Sequence, residues 1–245
     1  MMAYLQSDIQ TLIQNYSPWF IIEVLVIIII IIYQLKNYRK TYKNINLLKN
    51  IFSQRLYVKS GYLDREILNN EHITAEEIDL LKKDEILNSP GKNFVRFSVT
   101  ETSGTNGTIL RIRNAINTYL LSNYGAAVNF SIIKDIIDRE VDLKDDEITQ
   151  ATPTPLYLGL AATMVGIIFG LMSMSVLNGD KFALEISSLI SGVRVAMISS
   201  LIGLLFTTHL SSFRYKDAKK EILSDKNEQI SYLQAKLLPE LIKAE

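Results

Sequence analysis

The chain has 245 residues, 48% of them hydrophobic, and equal numbers of acidic and basic side chains give a formal net charge of zero. The balanced charge argues against direct binding of nucleic acid, and the absence of cysteine excludes disulfides, thiol catalysis and cysteine-ligated zinc. The two histidines, His72 and His209, lie far apart in the sequence, and no Gly-rich phosphate loop follows a strand-like run. We therefore expect a protein that is not an enzyme and that needs no cofactor or metal.

Three apolar runs are long enough to cross a bilayer, which takes about 20 residues of helix. The first contains VLVIIIIIIY and predicts a transmembrane helix at 18–35, because a lone β-branched strand cannot satisfy its backbone in lipid. The second predicted helix, 154–175, begins at prolines that suit a first helical turn. The third covers 187–209. The second and third runs contain no acidic residue.

Basic residues predict the orientation of these helices. Lys and Arg cluster after the first run and again after the third, and the positive-inside rule places both clusters in the cytoplasm. The expected order is a periplasmic tail (1–17), a cytoplasmic helical domain (36–153), a short periplasmic loop (176–186) and a cytoplasmic C-terminal helix (210–245). The pattern of that last helix continues to the end of the sequence without a capping signal, so either the helix ends there or a longer tail follows. The predicted fold class is an all-α polytopic membrane protein with three transmembrane helices and its N-terminus outside.

The predicted cytoplasmic domain has several local signals of helix. Residues 74–77 form a capping-box pattern, and residues 108–122 carry isoleucine and leucine at helical spacing. A further helix is expected at 131–141, after which Asp142 is predicted to cap the helix that leads into the second span. Residues 93–100 alternate between apolar and polar side chains, which is typical of a short strand.

Small and hydroxyl residues line one face of each of the last two spans. The second span has Gly159, Thr163, Gly166 and Gly170, and the third has Gly192, Ala196, Ser200, Gly203 and Thr207. One interpretation is close helix packing. The other is an ion path in which the hydroxyls of Thr163 and Ser200 solvate a carboxylate in either protonation state. Ion paths normally need an ionisable group inside the membrane, so these two spans would have to borrow the acid from another chain.

Two charged residues lie within the predicted spans. Glu23 is about one helical turn inside the outer end of the first span, and Arg194 is about two turns inside the outer end of the third. A charge at the bilayer centre costs about 2.5–3.5 kcal/mol on insertion scales, which favours a Glu23–Arg194 pair within or between subunits. The alternative is that Glu23 reaches the outer water and Arg194 extends to the interface. His209 is expected to be an interface residue rather than a proton relay.

These motifs resemble those of a known family. Leu158-Gly159-Leu160 with Thr163 and Gly166-Ile167 resembles LGLxGTVxGI, the span-two signature of the MotA/TolQ/ExbB proton-channel family. Residues 189–204 resemble its span-three signature, and the topology is similar to that of the TolQ and ExbB arm. By this match Thr163 and Ser200 fall on the family's ion-path positions. The sequence departs from the pattern at Ala162, where glycine is usual, and at Arg194, near which TolQ and ExbB carry a glutamate.

The resemblance also implies partners and a location. SGVRVAMISS and YLQAKLLP are similar to segments of the ZorA subunits of Zorya anti-phage systems. The family implies a homopentamer in the bacterial inner membrane around two copies of a single-span MotB/TolR/ExbD/ZorB-like subunit that carries a membrane aspartate. Protons or sodium ions would drive this rotary motor, here in anti-phage defence. Two alternatives stay open: a TolQ/ExbB-type energiser of envelope transport or motility, and a non-conducting membrane scaffold that recruits cytoplasmic partners.

Overall fold

The computed structural model describes residues 18–64, 94–124, 128–172 and 182–242. In chain order its elements are helix α1 (Pro18–Lys49), strands β1 (Tyr57–Asp64) and β2 (Phe94–Glu101), helices α2 (Gly107–Ser122), α3 (Phe130–Ala151), α4 (Thr154–Met172) and α5 (Phe182–Thr208), a π-helical turn (His209–Tyr215) and helix α6 (Lys216–Ile242). These residues are mostly helical, as expected. The predicted capping box at 74–77, the tail 1–17 and most of the loop 176–186 lie outside the described residues.

A two-stranded antiparallel sheet corrects the all-α prediction. Strand β1 pairs with β2 so that Tyr57 lies opposite Glu101 and Asp64 opposite Phe94. The alternation at 93–100 predicted β2, whereas no strand was predicted at β1, which lies in a domain expected to be mostly helical. Its sequence, YVKSGYLD, contains aromatic and β-branched residues that suit a pleated surface. The Ser60 and Ser98 hydroxyls, which face each other in this register, are 2.9 Å apart.

The chain divides into two compact units. The first, here called the apolar unit, comprises Met1–Asn44 and Ile148–Lys216. The second, here called the polar unit, comprises Ile45–Glu147 and Asp217–Glu245. The division falls within α1 and α3 and again after Lys216, the first residue of α6.

Helix α2 supplies much of the core of the polar unit. It begins after Asn106, whose side-chain oxygen accepts a hydrogen bond from the Thr108 backbone N–H at 3.0 Å, and this cap satisfies one of the free donors of the first turn. The helix and its apolar face agree with the prediction, since all four residues at the expected spacing are buried: Ile109, Ile112, Ile116 and Leu120.

A buried asparagine fastens α2 to β2. The Oδ1 of Asn117 accepts hydrogen bonds from both the backbone N–H and the hydroxyl of Thr100, each at 2.8 Å. Its Nδ2 donates to the Thr100 carbonyl oxygen at 2.8 Å. Because a side-chain amide offers two donors and two acceptor sites, Asn117 is nearly satisfied although it is only 1% exposed.

Helix α3 is longer than the sequence pattern predicted. The expected cap at Asp142 is wrong, because the helix continues through this residue to Ala151. Val141 is buried, whereas Asp142 is exposed on the outer face of the helix. The stretch that follows, LKDDEITQAT, contains several good helix formers (Leu, Lys, Glu, Gln and Ala) and no Gly or Pro before Pro153.

Helix α6 is held in the polar unit by buried apolar residues and by ion pairs. Leu233 and Leu237 are fully buried, whereas Leu223 is 43% exposed. The ion pairs are Lys49–Glu221, Arg55–Glu228, Arg96–Glu240, Lys219–Asp145 and Lys226–Asp138. Such pairs near water contribute up to about 1 kcal/mol each, so the packing of α6 depends mainly on its apolar contacts.

Candidate functional site in the apolar unit

The helices of the apolar unit bury small side chains and expose large apolar ones. The buried small residues are Gly159, Ala162, Gly166 and Gly170 on α4 and Ala196, Ser199 and Gly203 on α5. The exposed apolar residues include Leu25, Ile28, Ile29 and Ile32 on α1, Leu160, Met164, Ile168 and Leu171 on α4, and Met197, Ile198, Leu201 and Leu205 on α5. Burying a Leu, Ile or Met side chain is worth about 1.5–3 kcal/mol in water. So large an exposed apolar surface marks a face for lipid or for other chains.

Two helical stretches are long and apolar enough to cross a membrane. They are Phe130–Met172 and Ala196–Leu241, and they qualify by length and composition. In the most apolar window of each stretch, only 28% (Phe130–Met172) and 22% (Ala196–Leu241) is buried within the chain. The core helix of a water-soluble protein, in contrast, is mostly buried. These two stretches contain α4 and residues 196–208 of α5, and with them most of the second and third predicted spans.

One amide joins three helices of this unit. Gln34 on α1 is fully buried, and its Nε2 donates hydrogen bonds to the Pro155 carbonyl on α4 at 3.0 Å and to the Ser199 carbonyl on α5 at 3.1 Å. Leaving such a buried donor unpaired would cost about 1–3 kcal/mol. Gln34 therefore holds α1 where α4 and α5 cross, and we call this contact the three-helix junction.

Two glycines allow the helices to approach at the junction. A Cβ on Gly159 would lie 2.8 Å from the Ser200 Cα and 3.1 Å from the Gln34 Nε2. A Cβ on Gly203 would overlap the Pro155 carbonyl oxygen and would lie 2.8 Å from the same Nε2. At these two positions the small residues therefore serve close packing of helix backbones, as small residues do in membrane proteins.

Contacts within the unit give the relative directions of α1 and α5. Gln34 meets Ser199, and one turn further along α1 the Tyr38 hydroxyl lies 3.0 Å from the His209 Nδ1. Since the residue numbers rise together on both helices, α1 and α5 run parallel. The contact of His209 with the exposed Tyr38 hydroxyl lies at the end of the apolar segment.

Helix α4 runs in the opposite direction. Gly159 is adjacent to Ser200, and Pro155, one turn earlier, is adjacent to Gly203. Because the residue numbers rise on one helix as they fall on the other, α4 is antiparallel to α5. This alternation is the one that three successive crossings of a membrane would require.

The two predicted ion-path residues flank the junction. Thr163 and Ser200 are both half-buried, and Gly159 contacts both of them. The Thr163 hydroxyl donates to the Gly159 carbonyl at 3.1 Å, and the Ser200 Cα lies against the position of a Gly159 Cβ. A hydroxyl that donates to its own helix keeps its oxygen lone pairs as acceptors. The structure thus brings the two residues to one helix crossing.

The remaining residues of the predicted small stripe fall into three groups. Gly166, Gly170 and Ala196 are buried. Thr207 is half-buried, and its hydroxyl oxygen has no hydrogen-bond partner among the residues that the structure describes. Gly192 belongs to α5, and the structure describes only its helical backbone.

The two membrane charges are not shown as a pair. Arg194 is exposed in the single chain, and the side chain of Glu23 lies outside the described features. Gln34 and Ser199 are in contact and mark one level along the parallel helices. Glu23 lies eleven residues before Gln34, and Arg194 lies five residues before Ser199. At a rise of 1.5 Å per residue, this difference places Arg194 about 9 Å further than Glu23 along the direction of the two helices. Long side chains on helices point toward the N-terminus, which directs Arg194 toward the level of Glu23. The pair stays a prediction.

Sequence reasoning did not single out Gln34. One signal was available: Gln34 is an amide residue one position before the predicted end of the first span, within the apolar sequence IIYQLK. An amide there is easily assigned to the membrane interface, where water would satisfy it. Its role depends on backbone carbonyls of two distant helices, which no local pattern encodes.

The polar groups of this site are uncharged. Among the residues described in the apolar unit, the buried polar side chains are Gln34, Thr41, Thr152 and Ser199. No group of three or more His, Cys, Asp or Glu residues suited to a metal ion occurs in the part of the chain that the structure describes. Comparison with protein-family models, with curated proteins and with solved structures gives no match to this chain.

Proposed function

We propose that this chain is the ring-forming subunit of an ion-driven rotary motor in the bacterial inner membrane. The observation that carries the proposal is the neutral polar junction at Gln34, flanked by Thr163 and Ser200, inside helices that turn large apolar side chains outward. The apolar segments of α4 and α5 contain no acidic residue. An ion that crosses here therefore needs a carboxylate from a second chain.

The proposed partner is a single-span subunit that carries one membrane aspartate. The hydroxyls of Thr163 and Ser200 accept from the protonated acid and donate to the carboxylate, so both states bind without a buried countercharge. To donate, the Thr163 O–H rotates away from the Gly159 carbonyl, its partner in the structure. Five copies of this chain close a ring through heterologous contacts, and part of the exposed apolar surface is covered by neighbouring copies. Two partner helices cannot match five equivalent crevices at once. Protonation therefore releases one contact and favours docking at the next crevice.

The directions of the helices support the proposed topology. Parallel α1 and α5 with antiparallel α4 agree with an N-terminus outside and a C-terminus in the cytoplasm. The resemblance to ZorA favours anti-phage defence as the role of the motor. Envelope transport or motility is the alternative load, and a non-conducting scaffold is the alternative of another class.

Ion flux and subunit counting test the proposal together. The chain is co-expressed with the product of a neighbouring reading frame that encodes one N-terminal span with a single Asp, and the complex is reconstituted in liposomes with a pH-sensitive dye. We expect flux from the intact complex and none from Thr163→Val combined with Ser200→Ala. Met164→Leu, on the exposed face of α4, is the matched control and keeps the flux.

Native mass spectrometry of the same samples separates the alternatives. The motor predicts five copies of this chain with two of the partner, in the double variant as well as in the unaltered protein. A scaffold predicts that the intact complex assembles without any flux. Unchanged flux in the double variant would exclude the proposed role of the two hydroxyls.

A further inference from the structure

One face of α1 changes from apolar to basic along the helix. At about 100° of rotation per residue, a set of exposed residues on this helix falls within an arc of about 120°. The first four, here called the apolar stripe, are Leu25, Ile28, Ile29 and Ile32. The next four, here called the basic stripe, are Lys36, Arg39, Lys40 and Lys43. The opposite face of α1 is buried and includes Gln34 and Thr41, so both stripes lie on the outer side of the helix.

The charges of the basic stripe have no counterion in the part of the chain that the structure describes. No ion pair or hydrogen bond joins any of its four members to another described residue, whereas Lys49, further along α1, pairs with Glu221 at 2.9 Å. The sequence contains no Asp or Glu from residue 24 to residue 63. The π-helical turn adds a further cation at this level, because the Arg214 guanidinium lies 4.6 Å from the centre of the Tyr42 ring. The basic stripe therefore attracts anions from outside the chain.

The apolar stripe has the composition of a surface that faces lipid. Its members are Leu and Ile, and each is between 47% and 58% exposed. Contacts between helices in membranes are enriched in Gly, Ala, Ser and Thr, and this stripe contains none of them. Tyr33, which is 60% exposed, follows the last apolar residue, and exposed tyrosine is typical of the interface between membrane and water. The stripe therefore suits acyl chains, and the headgroup level begins near Tyr33.

The basic stripe lies within reach of lipid headgroups. At a rise of 1.5 Å per residue, Lys36 lies about 6 Å beyond Ile32 along α1, and Lys43 lies about 16 Å beyond it. The headgroup region is about 5–8 Å thick on each side of the bilayer. Long side chains on helices point toward the N-terminus, which on α1 is toward the apolar stripe. Lys36, Arg39 and Lys40 can therefore reach headgroup phosphates, and Lys43 lies within about one Debye length of them.

We propose that the basic stripe binds the headgroups of anionic phospholipids while the apolar stripe contacts their acyl chains. Each Lys or Arg near an anionic membrane surface strengthens binding about fivefold. A helix of another chain fits less well, because the apolar stripe lacks the small residues that let membrane helices approach. The inference rests on the proposed crossing of the membrane by α1. It goes beyond the motor, since it concerns the class of lipid that this helix selects.

Quenching of a single tryptophan by brominated lipids tests the proposal on the full chain in vesicles. Trp19 is the only tryptophan in the sequence, so Trp19→Phe combined with Tyr33→Trp places one reporter beside the basic stripe. Trp19→Phe combined with Tyr157→Trp places the matched reporter on α4, where the Tyr157 side chain is 62% exposed. Both reporters lie at one level, because Tyr157 is two residues from Pro155, whose carbonyl accepts from Gln34. No Lys or Arg lies within ten residues of Tyr157 in the sequence.

The measured quantity is the binding of phosphatidylglycerol relative to phosphatidylcholine, each brominated in its acyl chains in turn. We expect phosphatidylglycerol to bind at least fivefold more strongly at position 33 and about equally at position 157. Lys36→Gln combined with Lys40→Gln should lower the ratio at position 33 to less than twofold. Lys134→Gln combined with Arg139→Gln removes two exposed charges of α3 in the polar unit, and this matched control should leave the ratio unchanged.

Three results would overturn the inference and leave the motor standing. One is equal binding of the two lipids at position 33, or a preference there that survives the loss of Lys36 and Lys40. Another is the same preference at positions 33 and 157, which would mean a general attraction of anionic lipid to the protein. The third is quenching at position 157 alone, which would mean that another chain covers this face of α1. Absence of quenching at both positions would overturn the membrane location itself, and circular dichroism verifies that each variant is folded.

Discussion

Replacing Gly203 with alanine is expected to separate α4 from α5 and to disturb the hydrogen bonds of Gln34. The added methyl would overlap the Pro155 carbonyl oxygen and would lie 2.8 Å from the Gln34 Nε2, whereas ordinary van der Waals contact begins at 3.4 Å. The amide must therefore retreat by about 0.6 Å, and the backbone of α4 must move as well. Neither neighbour is the free end of a flexible side chain, since the Gln34 amide is anchored at both carbonyls.

The magnitude follows from three contributions. Overpacking of a tight contact costs about 1–3 kcal/mol, and a buried amide donor left unsatisfied costs about 1–3 kcal/mol more. The gain in helix propensity from glycine to alanine offsets about 1 kcal/mol. The expected loss in free energy of unfolding is therefore about 3 kcal/mol, with a range of roughly 1–5 kcal/mol.

Denaturation in detergent micelles measures this loss, with Gly107→Ala as the control. A Cβ on Gly107 meets nothing closer than the Arg111 guanidinium at 4.0 Å, so this substitution should be neutral or slightly stabilising. Combining Gly203→Ala with Gln34→Ala should cost less than the sum of the single changes, because the second removes one of the two clashes. Equal stability of Gly203→Ala and Gly107→Ala would refute the close approach of α4 and α5 at this residue.

Three further predictions concern conduction, the polar unit and pH. Thr163→Val alone or Ser200→Ala alone is expected to lower dye-detected ion flux at least tenfold, because each removes one acceptor of the protonated acid, while the mass of the ring is unchanged. Asn117→Ala is expected to lower the free energy of unfolding by about 2–4 kcal/mol, since it leaves buried groups of Thr100 unpaired, whereas Asn114→Ala on the same helix changes it by less than about 0.5 kcal/mol. Burial, and then the two neighbouring glutamates, raise the pKa of Asp225, so the folded chain holds this proton more tightly than the unfolded chain. The stability from this group is therefore lost as pH rises from 3.8 through the raised value. Asp225→Asn should accordingly raise the midpoint of thermal unfolding at pH 7, and the gain should vanish below about pH 4.

Each of these three expectations has a contrary result. Full flux in both hydroxyl variants contradicts the first. The second fails if Asn117→Ala and Asn114→Ala are equally stable by chemical denaturation. A thermal gain in Asp225→Asn that is the same at pH 3 and pH 7 would show that the carboxylate is not destabilised in the folded chain.

Features that depend on neighbouring residues were predictable from the sequence. The helix at 108–122 and its four buried residues follow from 3.6-residue periodicity, and β2 follows from the alternation of apolar and polar residues at 95–100. Features that depend on distant residues were not. The residues of strand β1 are paired with residues 30–44 positions further along the chain, and the same short segment is compatible with a helix when that partner is unknown.

The candidate site likewise combines residues that a local pattern predicts with one that only distant contacts define. The small residues of α4 and α5 were visible from their spacing, and Thr163 and Ser200 were visible from the motifs that contain them. Gln34 was not, because its two acceptors belong to helices more than 120 residues further along the chain. The cap expected at Asp142 is wrong because no Gly or Pro interrupts the stretch that follows, and the helix continues through it to Ala151.

Cysteine accessibility in the assembled ring tests most directly whether Thr163 and Ser200 line a polar crevice. The sequence contains no cysteine, so Thr163→Cys and Ser200→Cys can each be made without background, with Met164→Cys and Leu201→Cys as neighbours on the exposed apolar face. A charged, membrane-impermeant thiol reagent reacts only with thiolates that water reaches. We predict reaction at positions 163 and 200, at least tenfold faster than at 164 and 201, and slower when the partner subunit is bound. Reaction confined to 164 and 201 would place the two hydroxyls away from any ion path.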